Sequence, residues 1–209
     1  MKKLKNGRVT IFSLNNKMTI MGLQCQTDFL ARSELFGNKA YEICRYVQNN
    51  NMNVAETIAK ELSEECKEQI TIQDSFTVEL EVENSATNYY MHHDEMKIGI
   101  VTLKAKNWSR ELEQLTKDIA MNIVAFDPKY RNIDEINWDE VDLTFTEDQM
   151  KGKPERVIEM MKNGKKKKYA KENVLLEQPF VKDLKISVQD AINKIDPSIE
   201  IINVYGIFI

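Results

Sequence analysis

The sequence predicts an α+β fold: two sheet-and-helix subdomains with small antiparallel sheets, the second interrupted by a helical hairpin. Three observations predict it. Apolar residues alternate with polar ones in two groups of segments, Val9 to Cys25 with Phe76 to Val82, and Asn88 to Ala105 with Ile199 to Ile209, and alternation is the period of a half-buried strand. Each group is accompanied by segments with apolar residues three and four apart, the period of a helix with one buried face. After Asp134 the apolar density falls and a fresh helix start follows at Gly152-Lys153-Pro154. The expected division is residues 1–86, then 87–135 with 175–209, and 136–174 as the inserted hairpin.

Gly7-Arg8 opens a strand through Val9, Ile11 and Phe12, Asn15-Asn16 turns the chain, and Met18, Ile20 and Leu23 carry a second strand to Cys25, which makes a hairpin. Phe36, Ala40, Ile43, Cys44 and Val47 recur at helical spacing, giving a helix from about Leu30 to Val47 that the polar run Gln48-Asn49-Asn50-Asn51 ends. Asn53 with Glu56 reads as a capping pair for a second helix, with Val54, Ile58, Leu62 and Cys66 on its apolar line. Phe76, Val78, Leu80 and Val82 alternate with Thr77, Glu79 and Glu81, a strand with one wet face.

In the second half Asn88 to His92 and Lys97 to Ala105 read as strands. Ser109 starts a helix with Leu112, Leu115, Ile119 and Ile123 on one face, and Pro128 stops it. The helix that Pro154 introduces carries Val157, Ile158 and Met161, and Asn163-Gly164 is expected to end it. Gln178-Pro179-Phe180-Val181 should fix the return from the hairpin to the core, with Phe180 buried. Ser187 with Asp190 caps a last helix through Val188 and Ile192, before Pro197 and a terminal strand from Ile199 to Ile209.

A chain of 209 residues with 42% hydrophobic content can bury one sizeable core or two small ones. No stretch is long and apolar enough to span a bilayer, and Met1-Lys2-Lys3-Leu4-Lys5-Asn6 lacks the apolar run of a signal peptide, so a cytoplasmic protein without a membrane partner is expected. The three cysteines, Cys25, Cys44 and Cys66, stand at wide spacing without a paired pattern and are expected as buried thiols, not as a disulfide framework or a zinc knuckle. A net charge of -4 gives no general attraction to nucleic acid. The run Lys165 to Lys168 beside Tyr169 could meet RNA phosphates, but successive lysines point around a whole helix turn, so a solvated face is expected and direct nucleic-acid binding is not.

No constellation has the geometry of an enzyme. His92 and His93 are adjacent, so on a strand their rings are expected on opposite faces, unable to share a metal or a substrate. There is no phosphate-cradling glycine loop and no nucleophile elbow. Neither enzymatic chemistry, a cofactor nor a metal is expected. The stretch that organises the chain is Cys25-Gln26-Thr27-Asp28-Phe29-Leu30-Ala31-Arg32, where alternation stops and the helical period begins. Thr27 and Asp28 are both candidate N-caps. Phe29 either tucks into the core as the first anchor of the helix or stands at the surface, with Asp28 beside it, as a knob for insertion into a partner.

Cys25 to Ala31 resembles the signature of elongation factor Ts, the guanine nucleotide exchange factor of translation elongation factor Tu. The likeness keeps its order along the chain: Lys97-Ile98-Gly99-Ile100-Val101, Asp118-Ile119-Ala120-Met121-Asn122-Ile123-Val124-Ala125, Pro128-Lys129-Tyr130, Gly152-Lys153-Pro154-Glu155 and Leu175-Leu176-Glu177-Gln178-Pro179-Phe180-Val181 are similar to successive blocks of that family. The resemblance implies two sheet-and-helix subdomains with a helical insert, elongation factor Tu as partner, promotion of GDP release in translation elongation, and Thr27, Asp28, Phe29 and Leu30 as the piece that disturbs the partner's magnesium site. It places His93 near the partner, although His92 aligns equally well and Asp94, Glu95 and Met96 stand where relatives usually have glycines. Ile119, Ala120, Ile123 and Val124 read as a core face, with Met121 and Asn122 expected to look outward at the partner's third domain.

Relatives typically begin with a small helical module and continue into a C-terminal helix, both of which add contacts to the partner. Only Met1 to Asn6 precede the first strand here and the sequence stops at Ile209, so a core with the Thr27-Asp28-Phe29 corner as its probe is expected. Two functions are consistent with that: exchange on elongation factor Tu, or a module that holds elongation factor Tu without exchange. Self-association, if any, is expected through the helical hairpin.

Overall fold

The computed structural model describes residues 4–80, 82–146 and 150–209. Strands β1 (Asn6–Leu14) and β2 (Lys17–Cys25) form the expected hairpin, and Asn15 and Asn16 take φ of 52° and 58°, the conformation a two-residue primed turn requires and asparagine tolerates. Helices α1 (Asp28–Ala31), α2 (Glu34–Gln48) and α3 (Met52–Cys66) follow, and β3 (Thr71–Glu79) pairs with β2, giving the sheet order β1-β2-β3. The second half runs β4 (Ser85–Met91), β5 (Lys97–Lys104), α4 (Arg110–Phe126), α5 (Glu155–Asn173), β6 (Pro179–Phe180), β7 (Asp183–Ser187), α6 (Val188–Ile195) and β8 (Glu200–Phe208). Its sheet has the order β4-β5-β8, all antiparallel, so the architecture is α+β with small antiparallel sheets.

The alternation in β2 arises because its two faces meet different partners. Met21, Leu23 and Cys25 pack against Phe36, Ile43 and Leu62 of α2 and α3, while Ile20 joins Val9 and Val78 against Ile98, Ile100 and Ile207 of the second sheet. Strand β5 is apolar on both faces for the same reason: Ile98 and Ile100 meet the first sheet, and Val101 and Leu103 meet Leu112, Leu115 and Ile119 of α4. The layers are therefore helix, sheet, sheet, helix. Gly99 lies where α4 crosses closest, for a Cβ there would stand 2.5 Å from the Ala120 carbonyl oxygen and 2.8 Å from Ile123 Cβ.

Several elements differ from expectation. The helix expected from about Leu30 to Val47 is two helices, because Ser33 Oγ accepts a hydrogen bond from the Phe36 amide at 3.1 Å and restarts the chain as α2 after Arg32. Asn53 does not cap α3; Asn51 holds the N-cap position without a side-chain bond, and the Asn53 carbonyl accepts from Thr57 Oγ1. Strand β3 begins at Thr71, ahead of Phe76, and Glu81, at the far end of the expected strand, lies outside the described residues. Asn163-Gly164 does not end its helix: α5 continues to Asn173 because Tyr169 and Ala170 pack with Ile136, Trp138 and Val174, and the intervening lysines are good helix formers. Within the expected hairpin Trp138–Glu140 forms a 3₁₀ turn, and a second 3₁₀ turn, Ile133–Glu135, lies just ahead of it.

That insert also accounts for much of the lysine run. Lys165 Nζ sits 4.7 Å over the Phe145 ring and donates to the Thr144 carbonyl at 2.6 Å, Lys166 sits 5.1 Å over Trp138, and Lys168 lies 3.9 Å from Glu172. Gln178 and Phe180 behave as expected: Gln178 Nε2 donates to the Phe126 and Glu172 carbonyls at 3.2 Å each, and Phe180 is buried.

The cysteines are free thiols. Burial, with the neighbouring Glu68 charge second, pushes Cys25 up to about 11, and burial pushes Cys44 up to about 12. Cys66 is raised as well, again chiefly by burial, but it is only half-buried. Iodoacetamide at pH 8 should therefore label Cys66 first in the native chain, and Cys25 and Cys44 only after denaturant is added, as read by peptide mass spectrometry.

Candidate functional site

The corner after β2 is built by side chains from three separate elements. Thr27 adopts extended angles (φ -116°, ψ 147°), its Oγ1 accepts from the Leu30 amide at 3.2 Å, and it is the N-cap of α1. The same hydroxyl donates to Glu68 Oε1 at 2.6 Å, while Glu68 Oε2 accepts from the Gln26 and Thr27 amides at 3.1 and 3.0 Å. Asn6 Nδ2 donates to the Gln26 carbonyl at 2.8 Å, and the Cys25 thiol donates to the Thr27 carbonyl at 3.2 Å. Glu68 is itself held: Lys67 ends α3 in the left-handed region (φ 54°), and Ser63 Oγ donates to the Glu68 carbonyl. A charge-assisted clamp of this kind fixes a turn that has little core of its own.

On this base α1 turns two residues in and two out. Leu30 and Ala31 are buried in the first core cluster with Phe36, whereas Phe29 is 87% exposed, the most exposed large apolar side chain among the described residues. Of the expected contact residues, Leu30 thus faces the chain's own core, and Thr27, Asp28 and Phe29 form the outer surface. Among the described residues the Asp28 carboxylate pairs with Arg32, at 4.0 Å between largely exposed groups, a pairing too solvated to hold it.

The corner forms one wall of a cleft of about 760 Å³ whose other wall is the turn between β4 and β5. Asp28, Arg32 and Arg8 face His93, Asp94 and Glu95 across it. Arg8 Nη2 pairs with Glu95 Oε2 at 2.5 Å, and the Val9 amide donates to the Glu95 carbonyl at 2.7 Å, so the turn is tied to β1. His92 and His93 do not point to opposite faces. Strand β4 ends at Met91, alternation ends with it, and the two rings lie against each other at a tilt of 49° with centroids 4.1 Å apart. His92 is half-buried with Nδ1 3.0 Å from Asp94 Oδ2, and His93 is the exposed ring that lines the cleft. Burial raises the Asp94 carboxyl, but the Met96 amide and the two imidazoles outweigh it and hold the group below the usual carboxylate range. Glu95 takes φ 57°, a conformation that favours glycine.

Asn122 does not look outward. It is fully buried, and its Oδ1 accepts from the Val181 amide at 2.7 Å, fastening α4 to the chain that follows β6. The buried arc of α4 is wider than its apolar stripe, since both the sheet and the α6 side cover it; Met121 beside it is half-buried. Among the described residues no group of three or more His, Cys, Asp or Glu side chains is placed to hold a metal, and no helix is long and apolar enough to cross a membrane.

Sequence reasoning missed Glu68, the residue on which the corner depends. It lies 41 residues from Thr27, just past the acidic end of α3, where the sequence carries no local signal for it. Glu68→Ala should cost about 1–2 kcal/mol, since it strips the acceptor from charge-assisted but exposed bonds. A calorimetric melting temperature lower by roughly 2–8 °C would register it.

The sequence profile of the family described as Elongation factor TS matches residues 26–207. The chain is similar to the elongation factor Ts of Borreliella burgdorferi, 31% identical over 208 residues that cover 93% of this chain and 74% of that protein. It is similar also to the elongation factor Ts of Aquifex aeolicus, 30% identical over 207 residues that cover 88% of this chain and 71% of that one.

Proposed function

The chain belongs to the elongation factor Ts family, and on that footing we propose that it binds elongation factor Tu and promotes release of GDP, with the corner at Thr27, Asp28 and Phe29 as the part that enters the partner. The observation that supports this reading is a phenyl ring held 87% exposed on a turn clamped by Glu68, Asn6 and Cys25. A ring left in water forgoes roughly 1.5–3 kcal/mol of burial, which becomes available when a partner's pocket closes on it. A rigid corner also spends little ordering entropy on insertion.

Exchange needs no covalent step and no proton transfer. It needs tighter binding to the nucleotide-free partner than to the nucleotide-bound one, and by linkage the nucleotide is then weakened by the same factor. Phe29 supplies that difference if its pocket opens only when the magnesium and phosphate contacts are displaced. Asp28 brings a negative charge beside the same cation site, where it repels phosphate. His93, across the cleft, extends the contact, and Leu30 acts from below by seating α1 on the core.

Stopped-flow release of fluorescent GDP from elongation factor Tu tests the proposal. The chain should accelerate release in a saturable way. Unchanged release at saturating chain would overturn it.

A further inference from the structure

We propose that the groove beside the corner cleft receives an extended segment of the same partner as an added strand on the open edge of β1. This rests on the functional reading above and adds a mode of binding to it. Strand β1 is the edge of its sheet, and the two-residue turn closes on the pair Leu14↔Lys17, so the hydrogen-bonded pairs with β2 fall at Leu14, Phe12, Thr10 and Arg8. The amides of Ile11 and Ser13 then point away from β2. The Val9 amide has the same parity and bears this out, since it donates outward to the Glu95 carbonyl at 2.7 Å. The β4–β5 turn has thus begun a pairing on this edge, and among the described residues no backbone group continues it at Ile11 or Ser13.

These outward groups repeat every two residues, about 7 Å, which is the repeat of a partner strand. Val9 and Ile11 lie along a groove of about 540 Å³ with α2 on one side and β4 on the other, and Ser13 stands exposed beyond its end. Tyr41 of α2 is 53% exposed and Tyr89 of β4 41%, one on each wall. An inserted strand would send alternate side chains toward Tyr89 with Met91 and toward Tyr41 with Glu34 and Asn38, so its chemistry is an extended segment free of proline, apolar on the β4 side and mixed polar and aromatic on the α2 side. Natural edges are usually blunted by lysine, proline or a bulge; Val9 to Leu14 has none of these. A second copy of this chain is not the fitting occupant, because β1 is recessed between α2 and β4 and cannot leave its own groove to enter another. The groove shares Arg8 and Glu95 with the corner cleft, so one partner can cover both.

Amide hydrogen exchange, followed by NMR in the free chain and in its complex with nucleotide-free elongation factor Tu, is the test. The Ile11 and Ser13 amides should exchange at least tenfold more slowly in the complex, with Thr10 and Phe12 changed far less. Ser13→Pro, which removes an outward donor at an exposed position without touching a bond to β2, should weaken the complex about tenfold at an unchanged melting temperature. A complex that forms and releases GDP while both amides stay unprotected overturns the added strand and leaves the exchange reading standing. Protection that grows with concentration in the free chain assigns the edge to a second copy and also overturns it. Failure of any complex to form removes both.

Discussion

Phe29→Ala should lower the efficiency of GDP release from elongation factor Tu by roughly 10- to 150-fold, the factor that corresponds to burying one phenyl ring. The same substitution should leave the melting temperature where it was. The ring is 87% exposed, so its removal takes almost nothing from the core, and exposed substitutions away from special features usually stay within about 0.5 kcal/mol. Alanine is also the better helix former at that position of α1. The clean separation of the two readouts is what makes the result informative. Full exchange activity in a folded Phe29→Ala chain would detach function from the corner. A large fall in stability would mean that the ring is a packing residue after all. Asp28→Ala should give a smaller loss of the same kind, because a solvated carboxylate is weakly held and acts only through charge.

How much of this was legible beforehand follows the range of the interactions involved. The β1–β2 hairpin, the Ser109 cap that accepts from the Leu112 amide, and the reciprocal Ser187–Asp190 capping box are contacts within a few residues, and the sequence announces them directly. The direction of Phe29 is different. Helical spacing admits it inside or outside, and the choice is made by where α1 stops and Ser33 restarts the chain, which turns Leu30 and Ala31 inward instead. The histidine rings turn on a similar boundary: one residue beyond the end of β4, alternation no longer governs them. The resemblance points Asn122 outward, and only the folded chain brings the Val181 amide to it. Glu68 has no local signature at all. Its meaning comes from the left-handed Lys67 that aims it and from a corner far away in sequence.

Phe36→Ala should have the opposite phenotype to Phe29→Ala: a fall in stability of about 3–5 kcal/mol, the cost of a cavity left by a fully buried phenyl ring. Against a total of about 5–15 kcal/mol for a domain, that is a large share, and it corresponds to a melting temperature lower by roughly 6–20 °C. Phe36 lies in the same cluster as Leu30, Ala31, Met21 and Ile43, so the cavity opens beneath α1. Exchange should therefore suffer in two ways, through the folded fraction and through a corner that no longer has a firm seat. Measuring GDP release at low temperature, where the variant is fully folded, isolates the second. A reduced rate per folded molecule, recovered in Phe36→Leu, would show that the core sets the aim of Phe29. An unchanged rate would place that control in the Glu68 clamp alone, and a melting temperature equal to that of the parent chain would contradict the packing described for this cluster.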